Sequence, residues 1–141
     1  MVYTIEVRGL DAVKARLEAA SEKLRETAIR RGLLHVAARI VETVIESIGT
    51  PFPPPSEPGE PPHVRTGALR RSVRIEREEP GAVYIAVGGT GTGVPYAAAL
   101  EFGTSRMEPR PFVSPVIEIA HLEAEQIMTD EINKQLGDVV R

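Results

Sequence analysis

Apolar residues recur along this chain in two rhythms, and each predicts a different kind of element. At the start, Tyr3, Ile5 and Val7 alternate with Thr4, Glu6 and Arg8, which is the period-two pattern of a short strand over 2–8. Gly9 closes it, and Asp11 suits the first turn of a helix. Leu10, Val13, Leu17, Ala20 and Leu24 then line one side of a helix. Ile29, Leu33, Ala37, Ile40, Val44 and Ile48 continue every three or four residues, widened by Leu34, Val41 and Ile45. This spacing predicts one long helix over 10–48, or two with a kink near 26–32. The second half is the more apolar and is the expected main core element. Gly49 is a natural stop.

Periodicity then ceases. Residues 49–64, GTPFPPPSEPGEPPHV, hold seven prolines. Proline lacks an N–H and fixes φ, so neither a helix nor a central strand is expected, only an extended, polyproline-like arm or loop. Loops of this length are either functional or simple linkers. Thr66 is placed to cap a short helix through Leu69 and Ser72. Alternation returns with Val73 and Ile75 against Arg74 and Glu76, and again with Val83, Ile85 and Val87. With Pro80-Gly81 as the turn, this predicts a half-buried β-hairpin over 73–88. The connector GGTGTGVP (88–95) leads to a short helix at 96–102, and Pro109 and Pro111 punctuate the next loop. Val113, Ile117, Ala120, Ala124 and Ile127 mark a final helix over 112–136. The order predicts an α+β fold: a small antiparallel sheet packed against a long N-terminal helix and a C-terminal helix, with a long proline-rich loop. The 141 residues show no internal repeat and are expected to form a single domain, 1–141.

Composition narrows the classes of function. Hydrophobic residues make up 42% but aromatics only 4%, so the core is globular and mostly aliphatic. The absence of cysteine excludes disulfides and thiolate metal sites and fits a reducing compartment. No basic segment followed by an apolar one opens the chain, so no signal peptide is expected. No apolar run approaches the roughly 20 residues that span a bilayer, and no membrane partner is expected. The net charge of −3 gives no case for gripping nucleic acid over the whole surface. The charge is uneven, because residues 111–141 carry six acids against two bases.

Four patterns invite chemistry. Gly88, Gly89, Gly91 and Gly93 suggest a phosphate cradle, but the P-loop lysine is missing and no parallel βαβ unit is predicted. Permissive loop glycines are the plainer reading. Glu118, His121 and Glu125 share a helix face as in di-iron bundles, yet the second Glu-x-x-His that such a site needs is absent. No nucleophile elbow or His-Glu-x-x-His occurs, so no enzyme activity and no cofactor are expected. Arg65, Arg70, Arg71, Arg74 and Arg77 form a basic cluster, but Glu76, Glu78 and Glu79 lie alongside and no aromatic stacking platform accompanies them. Surface ion pairs, or a local contact with DNA, are the two readings of that cluster.

Two stretches remain: PGEPPHVRTGALRRSV, and YAAALEFGTSRMEPRPFVSPVI. Together they resemble the siphophage neck and tail-completion proteins of the Hong Kong phage type, small head–tail joining proteins of long-tailed DNA phages. The motif residues are Arg65, Thr66, Gly67, Leu69 and Ser72; Tyr96, Ala97, Glu101, Phe102, Gly103 and Thr104; and Pro109, Arg110, Pro111 and Phe112. The likeness covers about 58–120. The N-terminal strand and helix match in type only.

The resemblance implies a structural virion protein at the head–tail junction, completing or terminating the tail tube as a ring subunit, with a hexamer matching the tail's symmetry. The implied partners are its own copies, the tail-tube protein and the head-closure or connector protein, with a local contact to phage DNA in the channel. The implied location is the virion neck, assembled in the host cytoplasm. A DNA-contacting accessory protein using the Arg65–Arg77 cluster is the alternative. Seams are expected at the 49–64, 88–95 and 103–111 segments. Glu101 and Arg110 are placed to pair across a loop or a subunit boundary. Phe102 and Phe112, two of only three phenylalanines, either anchor in a partner's pocket or close the monomer's own core.

Overall fold

Eight elements follow one another in the computed structural model, which describes residues 1–5, 11–89 and 91–137. Strand β1 (Val2–Ile5) is followed by helices α1 (Asp11–Ala19) and α2 (Glu22–Ser47) and the single turn α3 (Ala68–Arg71). Strands β2 (Arg74–Glu79) and β3 (Ala82–Ala86) come next, then α4 (Ala97–Phe102) and α5 (Ser114–Gly137). The fold is α+β. The expected strand residues Glu6, Val7 and Arg8 lie outside the described residues.

The core forms where α2 lies along α5 and both meet the sheet. Leu33, Val36, Ala37, Ile40 and Val44 of α2 face Val116, Ala120, Ala124, Met128 and Ile132 of α5, all buried. Each large aliphatic side chain fully buried in this way contributes about 1.5–3 kcal/mol. The helices approach closely at Gly32, where a Cβ would lie 2.6 Å from the Met128 sulfur. That contact accounts for a residue that costs a helix interior roughly 1 kcal/mol relative to alanine.

The helical break falls earlier than the expected 26–32. α1 ends at Ala19, and Ser21 caps α2 by accepting the Leu24 N–H at 3.3 Å. A capping hydroxyl ends one helix and starts the next, and buried Ala28 keeps the apolar rhythm running through the expected kink.

The sheet is antiparallel in the order β1-β3-β2. Val83, Ile85 and Val87 point into the core. The β2 register shifts between Ile75 and Arg77, which face Ile85 and Tyr84 in turn. That bulge breaks the simple alternation expected for 73–88. Downstream of it Arg77 stacks on the Tyr84 ring at 3.9 Å and pairs with Glu79 at 3.2 Å. A bulged, charged outer strand resists pairing with another chain.

Candidate functional site

The proline-rich segment is pinned where it begins and ends. Phe52 N–H donates to the Val64 carbonyl at 3.0 Å, and Val64 N–H donates to Thr50 at 2.8 Å. Its middle meets the second motif stretch. Gly59 N–H donates to the Pro109 carbonyl at 3.0 Å, and Arg110 Nη1 donates to the carbonyl and hydroxyl of buried Ser56. Beyond Val64, Gly67 occupies the cap of α3 at φ +76°. The Thr66 hydroxyl accepts from Ala68 N–H at 3.3 Å, so the two residues share the capping role expected of Thr66 alone.

These contacts bring the two motif stretches together. Arg65–Arg70 join Tyr96, Ala99 and Leu100 in lining one open groove of about 440 Å³, together with Ile48 and Met107. Its lining is mostly apolar. Arg65 stacks over the Phe52 ring at 4.4 Å, and Arg70 has no partner among the described residues.

The motif residues divide into two groups. One group holds the fold together. Leu69, Ala97 and Phe112 are buried in the core. The buried Ser72 hydroxyl donates to the Leu69 carbonyl at 2.6 Å and accepts Gly88 N–H at 3.0 Å, tying α3 to the end of β3. Removing that hydroxyl in Ser72→Ala strands a buried N–H, so a loss of roughly 1–2 kcal/mol in urea unfolding is expected. Gly103 turns the chain at φ +74°, where a Cβ would lie 2.8 Å from the Met107 carbonyl oxygen and 2.9 Å from Pro109. Thr104 N–H then donates to that same carbonyl at 2.8 Å, closing the 104–107 turn. Pro111 is half-buried.

Glu101 is the centre of this group. It is 3% exposed. Its carboxylate accepts the backbone N–H of Phe112 (2.9 Å), Val113 (3.0 Å) and Ser114 (2.8 Å), together with the Ser114 hydroxyl. These are the orphan donors of the α5 N-terminus, which also carries the positive end of the helix dipole. Burial would push this carboxyl up, but the hydrogen bonds from Ser114, Phe112 and Val113 outweigh it and hold its pKa below the ordinary carboxylate value. Burial, and then the nearby Glu101 charge, push the Tyr3 phenol up to about 12. The expected Glu101–Arg110 pair does not form within the chain. Glu101 is spent on the helix end, and Arg110 braces the proline-rich segment.

The second group faces outward. Tyr96 is 44% exposed and Phe102 is 65% exposed; Arg65, Thr66 and Thr104 are also exposed. The two phenylalanines therefore separate, with Phe112 in the core and Phe102 on the surface. The basic cluster divides too. Arg74 and Arg77 pair with Glu76 and Glu79, and Arg71 donates to the Thr66 carbonyl. Gly88, Gly89, Gly91 and Gly93 all have positive φ. Glu118, His121 and Glu125 are exposed on α5. Among the described residues, no group of three or more acidic or histidine side chains is placed to hold a metal ion, and no helix is long and apolar enough to cross a membrane. Sequence reasoning missed Glu131, buried on α5 beside His35 at 3.2 Å and Gln135 at 2.9 Å. It sits in the apolar stripe of α5, so only the lone charge at a core position could have signalled it.

Residues 11–103 match the model of the family described as "Bacteriophage HK97-gp10, putative tail-component". The chain belongs to that family of phage tail proteins, and its role is a structural one in the virion tail. The match takes in both N-terminal helices and every groove residue but Met107, and ends at Gly103, before Pro109–Phe112. No curated protein and no solved structure matches the chain.

Proposed function

We propose that this tail component works at the head–tail junction, where it completes or terminates the tail tube as a subunit of a closed ring, a hexamer by the symmetry of the tail. One observation carries the reading: the two motif stretches, distant in sequence, meet around one open, mostly apolar groove that leaves Tyr96 uncovered, and Phe102 is exposed at the other end of α4. Large aromatic motif residues needed only for folding would be buried, as Phe112 is. Large aromatics kept at the surface next to a groove are what a subunit interface uses as anchors. Arg65, Thr66, Tyr96, Phe102 and Thr104 are the proposed interface positions, with the tail-tube protein and the head-closure or connector protein above and below the ring. Ring subunits contact one another through two different surfaces, which close when the rotation per subunit fits.

The test is light scattering of the pure protein over a wide concentration range, alone and with its tail-tube protein. A single closed species in either sample is expected. A monomer at every concentration that ignores the tail-tube protein removes the ring from the reading and leaves only the tail role.

A further inference from the structure

Among the described residues, two surface features lie unpartnered on different parts of the chain, and they are complementary. The first is the motif groove, whose mostly apolar lining includes Arg65 and Arg70, neither of which has a carboxylate partner. The second is the outward face of α5. Leu122 is 79% exposed and Ile119 is 58% exposed, three residues apart and therefore neighbours on the helix surface. Glu118 and Glu125 flank Leu122 along one edge of that face, and neither has a partner, whereas Glu123 is already paired with Arg39 at 3.5 Å. Single exposed aliphatics are ordinary. An adjacent pair bordered by free carboxylates has the form of an amphipathic helix that docks in a groove.

We infer that α5 of one copy seats Ile119 and Leu122 in the Arg65–Arg70 groove of the next copy, with Glu118 and Glu125 meeting the two arginines. The inference rests on the ring reading and names its seam. Because groove and knob are different surfaces of the same chain, the contact is head-to-tail and generates a ring when it closes. Opposite charges at the edges set the register, and the apolar pair supplies the buried centre. Nucleic acid suits the groove less well, because its lining is mostly aliphatic, with Tyr96 and His63 the ring side chains in it.

The experiment compares assembly of the full chain by light scattering, with thermal melts to confirm that each variant folds. Leu122→Glu is expected to weaken assembly at least about tenfold in concentration. The pair Arg65→Glu with Arg70→Glu, and separately the pair Glu118→Arg with Glu125→Arg, should each abolish it. Mixing these two charge-reversed proteins in equal amounts should restore it, since every groove then meets a knob of opposite sign. Rings from wild type and from all the variants alike would overturn this seam while leaving the ring standing. A wild-type chain that never assembles, alone or with the tail-tube protein, would overturn both. If reversing Arg65 and Arg70 abolishes retention of double-stranded DNA but leaves assembly intact, the groove belongs to nucleic acid and the inference fails.

Discussion

Glu101→Ala is expected to cost roughly 3 kcal/mol, because three backbone N–H groups and a hydroxyl lose their shared acceptor and the N-terminal end of α5 is left uncapped inside the protein. For a chain of this size that corresponds to a fall of roughly 10 °C or more in Tm. Glu101→Gln keeps the shape and one accepting oxygen but turns an NH2 toward the donors, so it should lose about half as much. The pH dependence tests the cause. The folded-state pKa of Glu101 is depressed, so the unfolded chain holds this proton more tightly than the folded one. The stability it contributes is complete above the ordinary carboxylate pKa and is lost as pH falls through that value toward the depressed one. Melts of wild type and Glu101→Gln should therefore be well separated at neutral pH and converge as the solution is acidified. A gap that stays constant across that range would show that the ionised carboxylate is not what holds the helix end.

That role also explains a limit of what the residues disclose before folding. The spacing of Leu33, Ala37, Ile40 and Val44 fixed a buried helix, and Val83, Ile85 and Val87 fixed the inner face of a hairpin, because a single repeated side-chain period is enough for either. Glu101 carries no such period. Its neighbours in sequence are the apolar residues of α4, while its partners lie 11 to 13 residues on, past two prolines. A carboxylate followed by Phe-Gly-Thr looks the same whether it caps a distant helix or faces another subunit. Arg110 was legible as a partner for an acid, and in the fold it binds the serine of a loop 54 residues earlier. The bulge in β2 was hidden for a similar reason, since an extra residue shows only when the partner strand is laid beside it. The helix break shifted because Ser21 supplies an N-cap where the apolar rhythm alone gave no stop. The groove is a product of tertiary folding, formed when a loop closure at Thr50–Val64 sets Arg65–Arg70 opposite α4.

The same motif should give opposite results at its two phenylalanines. Phe112 is fully buried, among the largest side chains of the core. Phe112→Ala is expected to lose about 3–5 kcal/mol, the usual cost of emptying an aromatic site that cannot collapse, and any loss of assembly should follow from unfolding. Phe102 is 65% exposed, so Phe102→Ala should change stability by less than about 0.5 kcal/mol. If Phe102 anchors an interface, its removal should still weaken assembly by roughly tenfold or more in concentration. Urea unfolding and light scattering on the two variants separate the effects, since one measures the monomer and the other the contact. A Phe102→Ala protein as stable as wild type and as well assembled would leave its exposure without a purpose at the seam. A Phe102→Ala protein as unstable as Phe112→Ala would mean that the side chain is covered in solution by its own chain. Stability kept and assembly lost would separate the two uses of one motif, with Phe112, Glu101 and Ser72 holding the fold and Phe102 and Tyr96 turned toward a neighbour.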